Sequence, residues 1–124
     1  MNSKQIDILQ RASLVFMKLG IKSVTMDDIA TQLGISKKTL YNHFRDKNQL
    51  VENIIKSKIA EDRNVFQKAS LESINAIEEL FMHSKYVIET FKAVNPTVFH
   101  DLQKNYPPPW QLTVNHKRDF VYNQ

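Results

Sequence analysis

The sequence predicts an all-α chain: an N-terminal three-helix bundle carrying a helix-turn-helix, followed by an incomplete helical regulatory domain. Three observations support that expectation. Apolar residues recur at three- and four-residue spacing from Ile6 to Val94, the period of helices with one buried face. Capping residues precede these runs, and the chain's two glycines, Gly20 and Gly34, each follow one of them. Of 124 residues 42% are hydrophobic, enough for a core, and two glycines with four prolines leave no low-complexity stretch.

Ser3 to Leu19 reads as the first helix, with Ile6, Leu9, Ala12, Phe16 and Leu19 on one face and Gly20 as its stop. The second starts at Thr25, whose hydroxyl can cap free backbone N–H groups, with Asp28 in capping-box position. Met26, Ile29, Ala30 and Leu33 form its buried stripe, Val24 can staple onto Ile29, and Gly34 ends it. Ser36 caps a third helix, Lys37 to Phe44, which buries Leu40 and Phe44 against Ile29 and Leu33. Asp46, with Gln49 completing a capping box, starts a longer helix that runs to about Lys68. A further helix covers about Ile74 to Val94, and a short one follows Asn95-Pro96 from Thr97 to Lys104. The Pro107-Pro108-Pro109 run breaks it, and residues from Trp110 onward are again compatible with a helix.

The third helix exposes more than it buries. Opposite Leu40 and Phe44 stand Lys38, Asn42 and Arg45, flanked by Thr39, Tyr41 and His43; all can hydrogen-bond and none is acidic. Lys37, Lys38 and Lys47 occupy helix starts, where a cation opposes the macrodipole. A bound phosphate would reverse the sign of that cost. The charge is also unevenly placed: residues 1 to 50 hold eight Lys or Arg against four Asp or Glu, while residues 51 to 124 hold nine of each. The whole net charge of +4 therefore sits in the helix-turn-helix half, the electrostatic footprint of a nucleic-acid binder.

Thr25, Asp28-Ile29-Ala30, Leu33-Gly34-Ile35-Ser36, Lys38-Thr39-Leu40-Tyr41, His43-Phe44, Lys47 and Leu50 together resemble the signature of the tetracycline-repressor (TetR) family of bacterial transcription regulators. The match covers about the first 60 residues without a gap, which makes it far more specific than a generic helix-turn-helix. The resemblance implies a third helix in the DNA major groove, with Thr25, Tyr41, His43 and Lys47 on the DNA backbone and Lys37, Lys38, Thr39 and Asn42 at base edges. Ser36 belongs to the same DNA-facing set. Asn42 stands where many family members carry an aromatic or another polar residue, so sequence preference does not transfer with it. The division implied is a DNA-binding domain over residues 2–62 and the beginning of a ligand-binding and dimerisation domain over residues 63–124. Family members usually continue for several more helices, so the sequence is expected to be a fragment.

Other chemistry is excluded or weak. Cys is absent, so no disulfide, cysteine zinc site or thiol nucleophile exists, which fits a reducing cytoplasm. No apolar run approaches the roughly 18–20 residues of a membrane span. Two glycines supply no phosphate loop, and Glu79 with His83, one turn apart, is expected on the surface. No nucleophile, base and orienting group can be assembled, so no enzyme and no cofactor is expected. Phe81, Tyr86, Phe91 and Trp110 are the candidates for lining an apolar ligand pocket, with ordinary core packing the competing reading. The function expected is a homodimeric, cytoplasmic, ligand-released repressor that binds double-stranded DNA at a palindromic operator. The alternatives are an activator or a helical protein-interaction module.

Overall fold

The computed structural model describes the backbone of residues 2–122 and the side chains of residues 2–118. Among the described residues every regular element is a helix: α1 (Ser3–Leu19), α2 (Met26–Leu33), α3 (Lys37–His43), α4 (Lys47–Glu72), α5 (Ala76–Lys92), α6 (Thr97–Asn105) and α7 (Pro107–Tyr122). None of them is long and apolar enough to cross a membrane.

The helix starts follow the side-chain chemistry. Thr25 Oγ1 accepts from the Asp28 N–H at 3.0 Å, while the Thr25 N–H donates to the Asp28 carboxylate at 2.9 Å, closing a reciprocal box. Ser36 Oγ accepts from the Thr39 N–H at 3.0 Å. Asp46 accepts from the Gln49 N–H at 2.8 Å, but Gln49 turns back to the Arg45 N–H at 2.7 Å instead of to the cap itself. A further box ahead of α1 joins Asn2 and Gln5. Gly34 ends α2 at φ +70°, the left-handed geometry that a side chain disfavours.

Several expectations are corrected. The buried arc of α1 is Ile8, Leu9, Ala12, Ser13 and Phe16, whereas Ile6 and Leu19 lie on its rim, 43% and 49% exposed. Helix α4 runs to Glu72, about 39 Å at 1.5 Å per residue. The prolines do not precede α7 but form its first turn, where the missing N–H groups have no intrahelical partner to lose. His83 is buried, not on the surface: its ring lies 4.8 Å from that of Phe66, and its Nε2 is 3.8 Å from Glu79.

One core gathers α1, α2, α3 and the first half of α4, through Leu9, Phe16, Ile29, Leu33, Leu40, Phe44, Leu50 and Ile54. It also takes in Val98, Leu102 and Tyr106, so α6 walls the same core from the other half of the chain. A polar clasp fixes that wall. The buried Asp101 carboxylate accepts from the backbone N–H groups of Ile21 and Lys22 at 3.0 and 2.9 Å. Asn95 donates its backbone N–H to Met17 O at 2.7 Å and its amide to Lys18 O at 3.1 Å, satisfying carbonyls left open at the end of α1. Gly20, at φ +91°, lies between them; a Cβ there would sit 2.6 Å from Thr97 Oγ1. Helix α4 then packs against both α5 and α7, and Asp62 on α4 accepts from the Tyr86 hydroxyl at 2.5 Å while lying 3.4 Å from His116.

Candidate nucleic-acid interface

The site begins with the shortness of α3. Seven residues make two turns, and within them only Leu40 is fully buried; Phe44, the residue that ends the helix, joins it in the core. These two anchors hold α3 against α2 across the tight turn at Gly34, while the rest of its circumference faces outward. Lys37, Lys38, Tyr41 and Asn42 are exposed, and Thr39 and His43 are half-buried along the edges. Ser36 and Thr39 are tied by a 2.8 Å hydroxyl–hydroxyl contact, which fixes two potential donors at the start of the helix. Thr25 stands at the start of α2.

The cations are not equivalent. Lys37 reaches back to Asp27 at 3.1 Å, and that hydrogen bond raises its pKa; the pair is exposed to water on both sides. Arg45 lies 3.4 Å from Asp46. Lys38 has no ion-pair partner among the described residues. Lys47 turns inward: its Nζ donates to Ile21 O at 2.6 Å and lies 5.9 Å from the centre of the Phe16 ring, and burial lowers its pKa. It thereby braces the loop that leads into Thr25. The sequence gave no local sign of this, because the carbonyl it binds is 26 residues away.

Two carboxylates set the local charge at the helix starts. Hydrogen bonding to Thr25 holds the Asp28 carboxyl below its ordinary pKa, and hydrogen bonding to the Gln49 N–H does the same for Asp46. Both therefore stay ionised at neutral pH and keep α2 and α4 capped.

The four pocket candidates are spread out. Phe81 is 69% exposed, Phe91 is 57% exposed and lies 5.4 Å from Phe99, Tyr86 is bound to Asp62, and Trp110 packs on the core. Two shallow hollows mark the surface, one between α1 and α2 beside Val15 and Gln32, the other on α5 around Ser84; none of the four side chains lines either. No group of three or more His, Asp or Glu side chains among the described residues is placed to hold a metal ion.

Residues 8–54 match the family model described as bacterial regulatory proteins, tetR family. The chain is 31% identical over 97 residues to the HTH-type transcriptional regulator YvaF of Bacillus subtilis (strain 168), an alignment covering 75% of this chain and 49% of YvaF. It is 39% identical over 54 residues to the HTH-type transcriptional repressor KstR2 of Mycolicibacterium smegmatis, covering 44% of this chain and 26% of the repressor. Among solved structures, a TetR-family transcriptional regulator from Streptomyces coelicolor superposes with a TM-score of 0.80 at 20% identity, over 97% of this chain and 67% of the other. The chain thus spans about half the length of YvaF, and at that identity the structural likeness concerns the fold.

Proposed function

The chain belongs, through residues 8–54, to the TetR family of bacterial regulatory proteins, and from that premise we propose that it is a sequence-specific DNA-binding transcriptional regulator and not an enzyme. The observation that carries the reading is the division of α3: two residues anchor it, and a polar, non-acidic face is left outward on the half of the chain that holds all the net positive charge. Such a helix fits the major groove, with Lys38, Thr39 and Asn42 toward base edges and Thr25, Ser36, Lys37, Tyr41 and His43 toward phosphates. The Lys47 ammonium contributes through the loop it braces, by setting where Thr25 meets the backbone. Two copies related by a two-fold axis would occupy half-sites of a palindromic operator about 34–36 Å apart. A small molecule that binds better to a non-DNA conformation would release the protein, by no more than its differential affinity. Repression is the favoured sign, because KstR2 is named a repressor.

The test is binding to DNA upstream of the chain's own gene, titrated with salt against random competitor DNA. Tight binding that outcompetes random DNA, with a log–log salt slope of several units, is expected. Lys38→Ala should weaken binding and reduce that slope by about one, while Asn42→Ala should relax preference at one base position. Binding indifferent to both sequence and salt would reject the proposal.

A further inference from the structure

Helix α5 carries an apolar stripe that nothing in the fold covers. Ile77, Leu80, Phe81, Ile88 and Phe91 are 81%, 66%, 69%, 54% and 57% exposed, far more contiguous apolar surface than scattered exposed residues make. The order of the stripe is symmetric about one small residue. Counting from Ser84, apolar side chains stand three residues away at Phe81 and Val87, four at Leu80 and Ile88, and seven at Ile77 and Phe91. Ser84 itself lies in the shallow hollow on α5, with Leu80, Val87 and Ile88 around it.

A palindromic stripe on one helix is what an isologous interface requires, because wherever residue i meets residue j across a two-fold axis, j also meets i. We propose that α5 pairs antiparallel with α5 of a second copy of this chain, with the two-fold axis passing at Ser84. The small serine lets the helices approach, so Leu80 of each copy meets Ile88 of the other and Ile77 meets Phe91. The charges at the ends agree with this pairing. Glu78 lies six residues before the axis and Lys92 eight after it, so the pairing sets each Glu78 within about 3 Å of axial rise of the other copy's Lys92. Lys85 is the one like-charge meeting near the axis, and Glu89, one turn on, offsets it. The pairing deepens the homodimer part of the proposed function and rests on that part alone.

Helices packed roughly 8–10 Å apart bring Cα atoms on the axis to roughly 4–5 Å, within disulfide reach. The chain contains no cysteine, so single-cysteine variants of the full 124-residue chain give an unambiguous test. Sedimentation of the parent should give twice the 14.5 kDa chain mass. Oxidised Ser84→Cys should become a covalent dimer, whereas Glu89→Cys, five residues off the axis, should not. Leu80→Asp should raise the dimer dissociation constant roughly tenfold or more while helix content by circular dichroism is kept, since Leu80 packs on nothing within the chain. A dimer that persists in Leu80→Asp and leaves Ser84→Cys uncrosslinked would overturn the α5 pairing and leave the homodimer reading intact. A monomer at every concentration would overturn both, with operator binding then still testable on single half-sites.

Discussion

At the scale of single residues, the module depends on a few side chains with no substitutes nearby. Phe44 is 2% exposed and is one of two anchors for α3, so Phe44→Ala should cost roughly 3–5 kcal/mol, read as a lowered midpoint in a thermal or urea melt. A variant that melted like the parent would show that α3 is held by something else. The capping carboxylates predict an acid limit. Because Asp28 and Asp46 have folded-state pKa values below the ordinary 3.8, the unfolded chain binds more protons just above those lowered values. Their stabilisation is full above pH 3.8 and fades as pH falls through the lowered values. Asp46→Asn, which still caps but does not titrate, should flatten the acid side of a stability-versus-pH curve measured by circular dichroism; an unchanged profile would remove Asp46 from the account. These residues were legible in the sequence because capping is a matter of three or four consecutive positions. The inward turn of Lys47 was not, since nothing between residues 21 and 47 signals which carbonyl will lie beside it.

Whole elements show where local reading stops. Helix starts at Thr25, Ser36 and Asp46 and the turn at Gly34 follow from side chains within one turn of each, and the observed starts agree with them. The buried arc of α1 does not follow in this way, because Ile6 and Ile8 are equally apolar and only the placement of α2, α4 and α6 decides which is covered. A proline triplet reads as a break, yet in α7 it occupies the one turn in which proline does no harm. The recognition face of α3 was legible because it depends on which residues are left over once Leu40 and Phe44 are buried. Least legible was the clasp on α6, since a lone Asp101 in a short helix carries no mark of buried backbone partners. Asp101→Ala would strip the Ile21 and Lys22 N–H groups of a charged acceptor and should cost about 1.5–3 kcal/mol. Gly20→Ala should also destabilise, through its positive φ and the approach to Thr97, and a double-mutant cycle with Thr97→Ala would recover the steric part alone.

Over the whole molecule, the helix-turn-helix is not a self-sufficient core. Val98, Leu102 and Tyr106 fill it from the far half, so a chain ending at residue 62 should melt at lower temperature and less cooperatively than the 124-residue chain. Equal midpoints would mean that α6 only rests on the module. The clasp also sets a clock on synthesis. It joins positions 80 residues apart, a closure that local helix formation cannot bring about and that only the later half of the chain can supply. Some 54 residues separate Lys47, the last residue of the DNA-facing set, from Asp101. At translation rates of roughly 5–20 residues per second, that is roughly 3–10 s in which a nascent α1, α2 and α3 wait with the groove for Val98 and Leu102 open to water. The part of the protein that faces DNA is the first to be made and among the last to be finished.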